Sequence, residues 1–240
     1  VQKLSRKGSL FALFSPKTRK RADSLRKPLS HKGSLLMPAT AEATRAAAND
    51  RLFRAAERGD IGGLRAALTD GADKIDLALQ SAAKEGWALA TAYLLDQGAN
   101  PNVFLGYCLA AAAGGGYLEI VQQLLDRGAD PNARSAYALA WAAERDHAEI
   151  VETLLDHGAN IHAGDDWALR EAAAAGCPRT VPLLLRRGAN VLARNSEALE
   201  VARKNPFHPE LVALLEEAAT RASAERPKIL YDYSTRAERP

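Results

Sequence analysis

Ala112–Asp130 reads AAGGGYLEIVQQLLDRGAD and Ala142–Asn160 reads AAERDHAEIVETLLDHGAN. The two stretches lie thirty residues apart and share an opening Ala pair, Glu-Ile-Val, a Leu pair and a closing Gly-Ala-(Asp/Asn). Outward from them, Gly-Ala-(Asn/Asp) recurs at Gly71, Gly98, Gly128, Gly158 and Gly188, at intervals of 27, 30, 30 and 30 residues, each time behind a Leu-rich stretch. A fixed period of roughly 20 to 50 residues signals stacked repeats, each one supersecondary unit that buries its apolar face only against a neighbour.

The unit Tyr137–Asn160 shows the local logic. Leu139, Ala142 and Ala143 fall on one face of a first helix, at i, i+3 and i+4. Arg145-Asp146-His147 turns the chain, and Ile150, Val151, Leu154 and Leu155 form the apolar face of a second helix. Gly158 ends it, because a helix C-terminus favours a left-handed residue and glycine adopts one without penalty. Units from Leu77, Tyr107 and Trp167 follow the same template, with an opening unit from Asp50 and a closing unit from Glu197 that carries one extra residue at its Pro206–Pro209 turn. Apolar residues are 47% of the chain, with only 6% aromatic. That Ala- and Leu-rich balance suits closely packed helices and not a sheet.

The pattern A-A-x-x-G-x-x-E-I-V-x-x-L-L-x-x-G-A-(D/N) resembles the ankyrin repeat, over most of the chain from about Asn49 to Thr220. The resemblance implies an all-α solenoid of stacked helix-turn-helix repeats, about six here, with loops projecting to one side and turn and first-helix positions lining a concave groove. The family's usual opening T-P-L-H is absent. Tyr107-Cys-Leu-Ala, Tyr137-Ala-Leu-Ala, Trp167-Ala-Leu-Arg and Glu197-Ala-Leu-Glu stand in its place, and the period falls short of the family's usual length. The missing residues lie between Gly-Ala-(Asp/Asn) and the next helix, so the sequence predicts shortened, blunt loops and almost no strand. Pro101-Asn102, Pro131-Asn132, Gly164-Asp165-Asp166 and Asn195-Ser196 supply turn chemistry, and Asp166 and Ser196 stand at expected N-cap positions. The expected organisation is a basic disordered arm over 1–47, the repeat domain over 48–220 and a C-terminal tail over 221–240.

Residues 1–40 hold ten Lys/Arg and one acid, Asp23, for a charge of +9; the other 200 residues carry −6, giving +3 in all. The arm is Ser-, Lys- and Arg-rich, without periodicity, and reads as disordered. It repeats one heptapeptide, Leu4-Ser-Arg-Lys-Gly-Ser-Leu10 and Leu29-Ser-His-Lys-Gly-Ser-Leu35. Ser9 and Ser24 each follow an Arg by three residues and Ser15 precedes Pro16, so all three are phosphorylation candidates. Three phosphates of about −1.5 to −2 each would cancel half or more of the arm's charge. Its basic residues suit an anionic membrane or nucleic acid, and Pro16–Arg21 resembles a nuclear-localisation cluster. In the tail, Ile229–Tyr233 is an apolar stretch that docks back on the domain or serves as a short ligand.

The residues expected to meet a partner are Lys84, Arg134, Arg145, Asp165 and Arg170 on the turns and first helices, with Glu85 and Glu144 beside them. Tyr137 and Trp167 belong to an aromatic column with Tyr107, which forms either a partner ridge or a seal between repeats. Trp141 is expected in the core. Gly114-Gly115-Gly116 is read as a tolerated small-residue turn, a hinge or a place of close backbone approach. His147, His157 and His162 have no metal-ligand spacing and read as exposed loop residues. Cys108 and Cys177 are too few for a disulfide framework and read as reduced. No phosphate-binding glycine loop or catalytic constellation stands out. The sequence therefore points to a monomeric, non-enzymatic adaptor without cofactor, metal or small-molecule substrate. An intracellular location, cytoplasmic or nuclear, follows from the lack of a signal-peptide layout or membrane span.

Overall fold

The computed structural model describes residues 40–205 and 208–225. They form twelve helices in six antiparallel pairs, and no strand occurs among them. The pairs are α1 (Ala41–Arg58) with α2 (Ile61–Thr69), α3 (Ile75–Glu85) with α4 (Ala88–Asp96), and α5 (Val103–Gly115) with α6 (Leu118–Asp126). They continue as α7 (Ala133–Glu144) with α8 (Ala148–Asp156), α9 (Ala163–Ala175) with α10 (Thr180–Arg186), and α11 (Ala193–Arg203) with α12 (Pro209–Glu225). First helices stack on first helices and second on second, each layer in chain order. Helix α1 opens at Ala41, ahead of the expected boundary at 48, because Thr40 caps it by accepting the Ala43 N–H. Likewise α12 runs on past 220 to Glu225.

The core is a ladder of leucines at one repeat position per helix. Leu52, Leu79, Leu109, Leu139 and Leu169 fill the first-helix layer and Leu94, Leu124, Leu154 and Leu184 the second, all essentially inaccessible to solvent. Alanines Ala82, Ala83, Ala112, Ala113, Ala142, Ala143, Ala172 and Ala173 are buried between first helices. Small side chains there let neighbouring backbones approach closely, which is why each unit can be thin and still exclude water.

Each of the first five second helices ends the same way. The N–H of Ala99 reaches the Leu94 carbonyl and that of Gly98 the Leu95 carbonyl, a pattern repeated at Ala72, Ala129, Ala159 and Ala189. Gly98 has φ 92° and its counterparts lie between 81° and 94°. This two-bond closure needs a left-handed residue at the glycine. The Asn or Asp that follows has a separate duty: Asn100, Asp130, Asn160 and Asn190 each accept the N–H two residues ahead.

The shortened loop is not an open turn. Phe104-Leu105-Gly106, Arg134-Ser135-Ala136, Gly164-Asp165-Asp166 and Arg194-Asn195-Ser196 each make one left-handed helical turn, with φ between 47° and 75°. Each turn closes with an N–H four residues back to a carbonyl, as from Ala136 to Asn132. Left-handed backbone costs an L-residue about 1–2 kcal/mol, and none of these positions is β-branched, where the clash is worst. Asp166 and Ser196 lie inside these turns and give no side-chain cap to their helices. The Asp166 carboxylate instead reaches forward to accept the Asn190 N–H at 2.6 Å.

That forward reach belongs to a series spanning all five repeat boundaries. The loop N–H of Asp73, Asn100, Asp130, Asn160 and Asn190 is bound in turn by Asn49, Asp76, Asn102, Asn132 and Asp166 of the preceding repeat. Asn102 and Asn132 also donate to the carbonyls of Gly128 and Gly158.

Candidate functional site

The first-helix layer carries the candidate surface. One position holds Leu77, Tyr107, Tyr137, Trp167 and Glu197 in successive repeats. Tyr107, Tyr137 and Trp167 are half-buried, and Trp141 lies among them from the next turn of α7. Ring centroids are 6.4 Å apart for Tyr107–Trp141, in edge geometry, 4.7 Å for Tyr137–Trp141 and 5.2 Å for Tyr137–Trp167. At these distances aromatic pairs attract beyond simple burial. The rings thus seal α5, α7 and α9 together while part of each meets solvent, so ridge and seal are one structure. Trp141 departs from expectation: it is half-buried in this run, because the core behind it is filled by alanine and leucine.

Charged groups frame the rings unevenly. The Arg134 guanidinium lies 5.3 Å above the Tyr137 ring, within cation–π range. The Trp167 Nε1–H donates to Glu171 at 2.6 Å. Arg170 departs from its expected role as a free contact. Its side chain is only 13% exposed, it pairs with Glu197 at 2.6 Å, and it donates to the Gly164 carbonyl. This bond to Arg170 holds the Glu197 carboxyl below its usual range. Arg145 is exposed, yet its Nη1 donates to the Gly114 carbonyl of the preceding repeat at 2.9 Å, so it also staples the stack. Lys84 is exposed and bonded to Glu85, which raises its pKa. Asp165 is exposed on its left-handed turn.

Sequence reasoning missed Phe104 and Leu105. They are 47% and 71% exposed, on left-handed backbone at φ 52° and 58°. Other repeats put Arg134-Ser135, Gly164-Asp165 and Arg194-Asn195 there. Two large apolar side chains where the other left-handed turns carry polar residues or glycine is the signal that a column-by-column reading would have caught.

The glycine triplet provides close approach. A Cβ on Gly114 would meet the Trp141 ring at 3.1 Å, and one on Gly116 would meet His147 at 2.7 Å. His147 is thus half-buried as a lid on Gly116, while His157 and His162 are exposed. No group of metal-ligating side chains occurs among the described residues. Both cysteines are buried and free. Burial pushes the Cys108 thiol up to about 12 and the Cys177 thiol up to about 11. A thiol held protonated in this way is a poor nucleophile.

A family model described as ankyrin repeats (3 copies) matches residues 52–135 and, in an overlapping placement, residues 108–195. The chain belongs to the ankyrin repeat family. A comparison with curated proteins returns no match. Ankyrin repeats are protein–protein interaction modules, and the half-exposed aromatic run lies on their first-helix layer. No described helix is long and apolar enough to cross a membrane. Ser9, Ser15, Ser24 and the duplicated heptapeptide lie outside the described residues.

Proposed function

We propose that this ankyrin repeat protein is a non-catalytic adaptor whose protein partner docks across α5, α7 and α9. The partner's contacts centre on Tyr107, Tyr137, Trp141 and Trp167, with Phe104, Leu105, Arg134, Lys84 and Asp165 at the edges. The observation that carries this reading is the exposed Phe104-Leu105 pair on backbone that disfavours both residues. Strain retained together with exposed apolar surface points to selection for binding and not for stability. Aromatic and Arg side chains dominate interface energetics. The basic arm then sets location or salt-sensitive attachment to an anionic surface, with Ser9, Ser15 and Ser24 as sites where phosphate would weaken it.

The test separates binding from folding. Phe104→Asn and Leu105→Asn replace apolar side chains with a residue that tolerates left-handed backbone. We expect the double variant of the full chain to keep or raise its melting temperature and to lose about tenfold or more in affinity for proteins captured by the wild type. Unchanged affinity would remove the aromatic edge as the docking surface. Deleting residues 1–39 tests the arm separately: it should abolish steeply salt-dependent binding to anionic vesicles or nucleic acid while sparing that partner.

A further inference from the structure

The other second helices have seven to nine residues, and α12 has seventeen. Its extra turns do not lie idle. Leu214, Ala218 and Ala222 form one wall of an open groove whose other wall is Pro182 and Leu185 of α10, with Val191 at its floor. The groove runs along the seam between the last two second helices, on the side of α12 that faces α10.

The sequence supplies an apolar segment at the right distance to fill it. After α12 ends at Glu225 come Arg226-Pro227-Lys228 and then Ile229-Leu230-Tyr231-Asp232-Tyr233. Pro227 disfavours helical backbone at Arg226, which permits a reversal there. The four residues from Glu225 to Ile229 reach about 13 Å when extended. The groove wall from Ala222 back to Leu214 is eight helical residues, roughly 12 Å, and five extended residues span about 13 Å. In an extended segment alternate side chains share a face, so Ile229, Tyr231 and Tyr233 would turn to the apolar floor together. Arg186, Glu217 and Arg221 also line the groove, with Arg221 paired to Glu217 at 2.9 Å, so Arg186 is the charge that Asp232 complements.

We propose that Ile229–Tyr233 folds back antiparallel to α12 and occupies the groove between α10 and α12, covering the apolar seam between the last two repeats. Two single-cysteine pairs in the full chain test it: Ala218→Cys with Tyr231→Cys, and Thr220→Cys with Tyr231→Cys. Ala218 lines the groove, whereas Thr220 is exposed and about 200° away around the helix. The tether to Tyr231 is nearly equal in the two. The buried native thiols compete weakly. Under a mild oxidant, docking predicts an intrachain disulfide that forms about tenfold or more faster for the groove pair, through its higher effective concentration. Equal rates for the two pairs overturn the proposal. Cross-linking mainly between molecules also overturns it, since a second copy would then be the occupant. As a readout free of new thiols, Ile229→Ser with Tyr231→Ser should speed amide exchange at residues 218–224, and unchanged exchange would count against docking.

Discussion

At the scale of single residues, the stack tolerates local exceptions that reveal its rules. Leu64, Val121, Val151 and Val181 occupy one buried second-helix position, and Thr91 stands in the same place, fully buried, with no partner for its hydroxyl. Thr180 is the parallel case at the position of Ile120 and Ile150. A buried hydroxyl without a hydrogen bond costs about 1–3 kcal/mol. Thr91→Val is therefore expected to raise stability by about 1 kcal/mol, read as a higher denaturant midpoint with unchanged slope. A second exception is paired. Gly59, Gly86 and Gly116 end first helices in left-handed conformation and are covered by Trp87, Tyr117 and His147 of the next repeat, where a Cβ would lie 2.6–2.7 Å from the ring. In the fourth repeat that residue is Asp146, at φ 58°, and the covering residue is the small Cys177. Asp146 also accepts the N–H groups of Arg179 and Thr180 at 3.1 and 2.8 Å, capping α10 from outside. Cys177→Tyr alone should destabilise, because the Asp146 side chain occupies the space a ring needs. Asp146→Gly with Cys177→Tyr should recover part of that loss, with a coupling of about 1 kcal/mol or more in a double-mutant cycle; strict additivity would refute the pairing.

At the scale of elements, repeat boundaries rest on a bond whose donor is fixed and whose acceptor moves. In the first, second and fifth repeats the loop N–H is held by Asn49, Asp76 and Asp166, which share one repeat position. In the third and fourth that position is Gly106 or Ala136, which have no acceptor, and Asn102 and Asn132 take over from four residues earlier. The fifth repeat has His162 at the latter place, and its Nδ1 lies 3.1 Å from Asp166. Transplanting the fifth arrangement into the fourth is thus a fair trial. Asn132→His alone should lose about 1–2 kcal/mol, since it removes both the bond from the Asn160 N–H and the one to the Gly158 carbonyl, and adding Ala136→Asp should restore the first of these, as measured by thermal unfolding. This level also shows where the sequence was readable. The G-A-(N/D) period, the Leu pairs and the helix ends at Gly98 and its counterparts follow from local chemistry, so six helix pairs and blunt loops could be foreseen. The left-handed turns could not, because Arg134-Ser135-Ala136 carries no glycine, and its closing bond runs from the Ala136 N–H to Asn132, whose side chain is held by the next repeat. Arg170 misled for the same reason: its partner Glu197 is 27 residues away and becomes adjacent only through stacking. The aromatic column was visible as a column, but whether it sealed or projected depended on Trp141, one turn away.

At the scale of the whole molecule, a linear stack is as strong as its successive boundaries, since each repeat touches only its neighbours. Exposed ion pairs such as Arg187 with Asp156 and Glu152 link second helices but contribute little singly. The boundaries differ in their acid sensitivity. At the first, Asp73 is held below its ordinary 3.8 by the hydrogen bond from Asn49, with Lys74 and Arg45 assisting. At the last, Glu197 is held below its ordinary 4.5 by Arg170, with Arg194 and Lys204 assisting. A carboxylate whose folded pKa is depressed contributes stability that is fully present above its unfolded value and is lost as pH falls through the folded one. Protonating Glu197 has a further consequence, because it leaves Arg170, largely buried, without its counter-charge. The central boundaries are held instead by the amides of Asn102 and Asn132, which do not titrate in this range. Lowering the pH from about 5 to about 3 should therefore loosen the two ends before the middle. Amide exchange should accelerate first in α1–α2 and α11–α12, while α5–α8 stay protected until lower pH. Glu197→Gln should shift the onset at the C-terminal end alone and make that end weaker already at neutral pH. Uniform loss of protection along the stack would mean that acid acts through net charge, and that these two boundaries are not its weak points.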